Sequence, residues 1–536
     1  MPQLDDHVFN RFAVGLVSLL LLAALFGRIM GYDLRRDEFM FVPPAAMLGQ
    51  YDLYGDLFYN HVPYSAWLFR VMHLLLPWLG LLAVARLTIF LAWLFLLGTA
   101  AWISYRLTRS HLIACFSALS ILTAEVFLGQ TGMAAGNNLL PLPFALLGLG
   151  LFVISLVERD LSAGRLFLAG VMLSLAAGMK ASAVAFIPAA AIGCFLLPLG
   201  LRFGQRLRQL VLPVAIGGAV GAIPLFWLAF IMPDQFFAHV LGYHSGPHVD
   251  FWKAHADSEP GLAMSAGQKL QLAYSVWFSG ASLLALFVML LTQVFVHVSK
   301  GGFSDRDTNG AIVVIVTATL SAALLGLVPT PGFPQYYAAP LIGIPLLTAL
   351  SCRGLSARMQ DLIKPVFVLA GTLMLLLAGP RFLVGLNDLR HPDGWTPVRV
   401  ERGGEALRDA LNGAGPVATL SPIYPLEAGL PIYPELSAGP FAYRVASYTR
   451  AALRMHYSMT GPDDVSALLD RIPPAGILTG FDPVLETTLE FYARTHGYVS
   501  VPIPEMTDRY GSAVLWVPSG SAIAAVSATV QTGDNP

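Results

Sequence analysis

Apolar runs long enough to cross a lipid bilayer fill the first 386 residues, and they exclude most folds open to a chain of 536 residues. Crossing roughly 30 Å of hydrocarbon takes about 20 helical residues. Runs of this kind are expected to span at 12–30, 82–105, 111–128, 138–157, 166–179, 181–199, 210–232, 271–298, 311–328, 336–350 and 365–385. With 56% hydrophobic and 12% charged residues, neither a soluble enzyme nor a disordered scaffold fits. The fold class read from this pattern is an α-helical polytopic membrane protein of about eleven spans.

From Asn387 the pattern changes, with 26 charged residues in the last 150 against 39 in the first 386. Residues 1–386 are read as a transmembrane module and 387–536 as a soluble α/β domain. Short β-like runs lie at Val417–Leu420, Gly476–Thr479 and Ala513–Val517, and helix-like runs at Gly404–Leu411 and Leu485–Thr495. The end from Ser519 to Pro536 reads as frayed.

Orientation follows from the loop cations. One set of loops, from Arg11 to Lys364, holds 13 Lys or Arg; the other holds six, Arg35, Arg36, Arg70, Lys180, Lys253 and Lys269. The N-terminus is therefore expected in the cytoplasm and the C-terminal domain outside. Tyr64 to Gly80, which carries Arg70 and His73, reads as an interfacial helix, and the first span as an uncleaved anchor. None of the eight asparagines starts a glycosylation sequon, which leans towards a bacterial inner membrane. A net charge of −1 gives no basic field for nucleic acid. Three cysteines in or beside apolar runs make neither a disulfide framework nor a zinc site.

Two outer loops are long, 31–81 and 233–270. The first packs Asp33, Asp37, Glu38, Asp52 and Asp56 among aromatics and prolines. Desolvation and mutual repulsion there would raise the pKa of one acid and make it a base towards a hydroxyl, with Arg35 and Arg36 holding its neighbour ionised. The plainer reading is a solvated loop with its acids in water. The second long loop gathers His239, His244, His248, Lys253 and His255 near Asp250, at spacings that match no tetrahedral metal site.

The adjacent acids Asp37-Glu38, the Gly55-Asp56 pair and His61 to Tyr64 resemble the first outer loop of GT-C glycosyltransferases, in particular the group with protein O-mannosyltransferases and the lipid A aminoarabinose transferase. Ala169 to Pro188 resembles the paired short spans around a lysine in that family, and Pro329 to Pro345 its late outer turn. The resemblance implies transfer of a sugar, with inversion, from a polyprenyl-phosphate donor to a hydroxyl of a protein, lipid or glycan at the outer face. On it, Asp37 is the general base and Glu38 orients the acceptor or tunes Asp37, with Asp56 a third candidate. His61 and Tyr64 belong to the matching motif and are assigned to substrate.

Lys180 is either a snorkelling topology marker or, on the resemblance, a cation for the donor phosphate. His239, His244 and Lys253 either cap that phosphate or form an amphipathic lid. Where the family places another acid, Gly129 to Asn138 has none; Glu125 is the substitute, or Asn137 and Asn138 bind acceptor hydroxyls. Gln335, Tyr336 and Tyr337 are substrate contacts or interface anchors, and Arg86 and Arg70 meet lipid phosphate or snorkel. No protein metal site is assigned, while Mg or Mn could enter with phosphate oxygens. The rival from another class is a transporter or flippase of lipid-linked sugars, which would carry inverted repeats and broken helices at the midplane.

Overall fold

The computed structural model describes residues 6–197, 200–256, 262–300, 306–411 and 415–519. Among the described residues seven helices are long and apolar enough to span a membrane: Val14–Gly31, Leu81–Thr108, Pro141–Glu158, Phe203–Ile231, Gly280–Val298, Arg306–Gly326 and Arg358–Arg390. Three shorter apolar helices, His111–Leu122, Ala163–Met179 and Ala181–Phe195, stand where spans are expected.

Proline and glycine explain where the expected spans break. The 336–350 run is held in 3-10 turns at Pro334–Tyr337 and Ala339–Ile342 before a 12-residue helix Gly343–Gly354, because Pro334 and Pro340 cannot donate helical hydrogen bonds. The 271–298 run divides into Ala266–Trp277 and Gly280–Lys300. At the break Gly280 has φ +48, and a Cβ there would lie 2.8 Å from the Glu125 carboxylate.

The last long helix, Ala357–Arg390, runs 34 residues and passes the expected boundary at 387 before ending ahead of Pro392. It packs along the first helix, where a Cβ on Gly27 would meet the Gly385 carbonyl at 2.1 Å. Close approach of the two backbones needs glycine at both positions.

The long loop 31–81 folds into helices Arg36–Met47 and Tyr64–Leu75. The second of these exposes Val71, Leu74 and Leu75, followed by Trp78, as an interfacial helix would. The basic loops gather at the opposite ends of the spanning helices, where Arg106 binds Glu158 through two nitrogens at 2.8 and 3.1 Å and Arg159 binds Asp307.

The C-terminal region holds one sheet of β1 (Val417–Thr419), β2 (Gly476–Thr479), β3 (Tyr498–Thr507) and β4 (Ser512–Pro518), in the order β1-β2-β4-β3. β1 and β2 are parallel and the rest antiparallel. β3 carries two prolines, Pro502 and Pro504, which are unfavourable to strands, and follows the turn glycine Gly497; it was not among the expected strands. Val400, Leu407, Val417, Leu478 and Leu515 share one continuous apolar core with the membrane helices. The expected fraying from Ser519 falls almost wholly outside the described residues.

Candidate active site

Asp37 sits in the first turn of Arg36–Met47, a helix that begins just after the first span. The unpaired N–H groups of a helix start favour an anion there. Its Oδ2 accepts a 2.5 Å hydrogen bond from Gln130 Nε2. Burial raises its pKa above the ordinary aspartate range, against the Gln130 hydrogen bond and the positive charges of Arg444 and Lys180.

Glu38 points the other way. Its side chain is fully buried and paired with the equally buried Arg86 at 3.0 Å through both Nε and Nη2. The carboxylate also accepts the backbone N–H groups of Arg35 and Ala135, each at 2.9 Å. Arg86 further donates to the carbonyls of Ile29 and Met30 at 3.0 and 3.2 Å and to that of Tyr32, closing the open end of the first helix. The expected acceptor-orienting role of Glu38 is corrected to a structural one, because all its acceptor positions are taken inside the protein; its negative charge still acts on Asp37, raising the pKa of that neighbour. Arg86, expected at lipid phosphate or snorkelling, is likewise buried and occupied.

A cavity of about 830 Å³ opens beside Asp37. Of the residues singled out in the sequence, Asp37, His61, Glu125, Asn137, Lys180, His244, Gln335 and Tyr336 line it, together with Arg35, Arg36, Asn138 and His248. Lys180 occupies the extended break between Ala163–Met179 and Ala181–Phe186. Its Nζ donates to Asn138 Oδ1 at 2.6 Å and lies 5.2 Å from the Tyr336 ring centroid. Desolvation lowers its pKa to about 8, opposed by the charge of Asp37.

The loop without an acid links these groups. Gln130 meets Asp37, the Ala135 N–H meets Glu38, and Asn138 meets Lys180. Asn137 Nδ2 donates to the Met179 carbonyl at 3.3 Å. Glu125 reaches the cavity but faces Arg381 at 3.5 Å. His61 stacks on Phe41 at 4.9 Å and stands 5.5 Å from His244, whose Nε2 lies 2.7 Å from the Asn60 carbonyl. Burial lowers the pKa of His61, His244 and His248 alike, so this wall is neutral and polar rather than cationic.

Five expected substrate residues stand away from the cavity lining. Asp56 is exposed and caps its own turn by accepting the Asp52 N–H at 2.9 Å. The Tyr64 hydroxyl is spent on the Gly221 carbonyl at 2.6 Å. His239 is buried among Tyr54, Phe58 and Tyr457 with Nδ1 2.7 Å from the Gln235 carbonyl. Lys253 lies exposed, 3.8 Å from Asp250. Tyr337 is fully buried, its carbonyl accepting from Trp277 Nε1 at 2.7 Å. Each is corrected from substrate contact to packing or surface.

The reading of sequence missed Gln130 and the wall built by Tyr243, Trp252, Arg444, Arg509 and Tyr510. Gln130 was detectable as the one long amide of the acid-free loop. Tyr243 and Trp252 lie in the second long loop, singled out only for its histidines, lysine and acids, and Arg444, Arg509 and Tyr510 had no local signal because they come from the C-terminal region and reach the cavity only by tertiary packing. Among the described residues no group of three or more His, Cys, Asp or Glu side chains comes together, and of the two carboxylates lining the cavity Glu125 is paired with Arg381.

No family model and no curated protein matches this sequence. Solved structures do match it. Over 94% of this chain and 97% of the other, it is similar to ArnT from Cupriavidus metallidurans bound to undecaprenyl phosphate, with a TM-score of 0.62 and 14% identity. The apo state of the same protein gives a TM-score of 0.60 at 14% identity over 94% and 98% of the chains. The oligosaccharyltransferase of Archaeoglobus fulgidus gives 0.46 at 11% identity over 90% and 73%. The likeness to ArnT shows that this chain has the same polytopic GT-C fold.

Proposed function

We propose that this protein is an integral membrane glycosyltransferase that moves a sugar from a polyprenyl-phosphate donor to a hydroxyl acceptor with inversion. The observation that carries the reading is the meeting of Asp37 and Lys180 in one cavity at one end of the helical bundle, with the basic loops at the other. In this reading Asp37 accepts the proton of the acceptor hydroxyl as its oxygen bonds to the anomeric carbon. The bond from that carbon to the phosphate oxygen breaks, and the electron pair leaves with the polyprenyl phosphate. A single displacement inverts the anomeric centre.

Base catalysis of this kind contributes about 10² to 10⁴ in rate. Lys180 offsets charge on the departing phosphate in a water-poor site. Its neighbours Asn138 and Tyr336 hold it in place. The fold shared with a protein captured with undecaprenyl phosphate supports a lipid-phosphate donor. The excess of cations in the opposite loops supports a cytoplasmic N-terminus and a cavity on the outer face of a bacterial inner membrane. A transporter or flippase would require a polar route through the bilayer midplane, whereas the charged and polar residues of this cavity collect at one end.

The test is turnover of a short-chain polyprenyl-phosphate sugar by reconstituted protein. Asp37→Asn should lose about 10²-fold or more in kcat while still binding donor. Undiminished turnover would remove Asp37 as the base.

A further inference from the structure

Arg444 comes from the C-terminal region, just after the short helix Pro440–Tyr443, yet it lines the same cavity as Asp37 and Lys180. Three aromatic rings hold its guanidinium: Phe251 at 5.2 Å, Trp252 at 4.8 Å and Phe441 at 4.8 Å from the centroids. The rings restrict the orientation of the guanidinium, and part of its N–H edge meets the Tyr243 hydroxyl, which also lines the cavity; the rest of that edge is the binding surface. Among the described residues no carboxylate forms an ion pair with Arg444, and its Nε is buried without a hydrogen-bond partner.

The other cations of the cavity are differently placed. Arg36 is held by Asp482 at 3.0 Å and lies over the Tyr510 ring. Arg35 donates to the Tyr32 hydroxyl at 3.0 Å and stacks on that ring. Arg509 is exposed on the β3–β4 turn. Glu125, the second acid of the lining, faces Arg381. Arg35 also has a buried Nε without a partner, but Lys180 and Arg444 are the two lining cations whose positive charges bear on Asp37, the one lining carboxylate that is in no ion pair among the described residues. That surplus suits an anion between them.

We infer that Arg444 is a second binding residue for the donor phosphate, gripping it by its N–H edge from the C-terminal wall while Lys180 meets it from the membrane side. The inference rests on the transferase reading and extends it. It makes the C-terminal region part of the donor site, with the Phe251-Trp252 segment of the second outer loop as the aromatic support of the arginine. A fork of N–H groups matches the oxygens of a phosphate monoester or diester, while a neutral alcohol offers it nothing comparable.

The experiment uses the full chain in lipid nanodiscs, with farnesyl phosphate and the neutral alcohol farnesol as probes and calorimetric titration as the readout. Arg444→Gln should weaken farnesyl phosphate binding by about 10-fold or more and leave farnesol binding unchanged. Arg444→Lys keeps the charge but loses the fork, and should show a smaller, several-fold loss confined to the phosphate; it carries the test should the glutamine variant not fold. Equal phosphate binding in wild type and both variants, or parallel loss of both probes, would overturn the assignment. Lys180→Gln separates the two levels. If it loses its preference for phosphate while the Arg444 variants keep theirs, only Arg444 fails; if all three variants keep it, the phosphate-donor reading fails as well.

Discussion

Asp37 and Lys180 titrate in opposite senses within one cavity, and the sign of each shift sets a pH window. Burial raises Asp37, so its basic form is lost as pH falls through a value above the usual aspartate range. Lys180 loses its proton as pH rises through about 8. The profile of kcat/KM, which reports the free enzyme, should therefore be bell-shaped, with its alkaline limb near pH 8 from Lys180. Lys180→Arg keeps a charge at all accessible pH and should erase the alkaline limb; a limb that persists would assign it to another group. Next door, Glu38 shows how far adjacent acids can diverge. Arg86→Met would leave the Glu38 charge buried without its partner, at a cost of about 3–5 kcal/mol, read as a lower unfolding temperature in detergent. From sequence, Asp37-Glu38 was legible as a pair of acids at an interface. Their division of labour was not, because it depends on Gln130 and Arg86, which approach from other helices.

At the scale of elements, the start of helix Leu81–Thr108 is held by a residue far along the chain. The Glu427 carboxylate accepts the N–H groups of Leu81 and Leu82 at 2.9 and 3.2 Å, and a Cβ on Gly80 would lie 2.1 Å from it. Desolvation raises the Glu427 pKa to about 7, although those two hydrogen bonds favour its charge. An acid whose pKa is higher folded than unfolded contributes stability present below its unfolded value of 4.5 and lost as pH rises to about 7. Glu427→Gln removes that proton linkage. The unfolding temperature of wild type relative to this variant should fall between pH 5 and pH 8; a constant difference would mean that Glu427 does not titrate in that range. Other elements depart from simple apolar periodicity for local reasons. Arg36–Met47 is helical despite Pro43 and Pro44, where the reading of 31–81 as a loop gave no reason to expect a helix. The Gly280 break and the 3-10 turns around Pro334 and Pro340 were in the residues themselves, and hydropathy averages hid them.

For the whole molecule, the two regions separated by composition at residue 387 are one packed body. Val400, Leu407, Val417 and Leu515 bury against the membrane module, and the C-terminal region supplies Arg444, Arg509 and Tyr510 to the cavity. A chain ending at Arg390 should expose this apolar surface and lose both stability and donor binding, as measured by yield of monodisperse protein and titration with farnesyl phosphate. The proposed orientation is checked separately: a cysteine placed at exposed Ser447 should react with a membrane-impermeant maleimide from the outer side, and labelling only after the membrane is opened would reverse the topology.

Local chemistry along the chain determined the membrane class, the approximate span positions, the sheet-forming runs β1, β2 and β4, and two places where charge sits beside apolar runs, the acids of 31–81, among which the resemblance picked Asp37, and Lys180. These follow from short-range rules: apolar length against bilayer thickness, β-branched runs between turns, and the cost of charge beside hydrocarbon. Only the tertiary structure decided which acid faces the cavity and which is clamped by Arg86, which histidines line it, and that Arg444 reaches it at all. Those outcomes depend on contacts between residues far apart in the chain, and such contacts leave no pattern in the stretch of sequence around either partner.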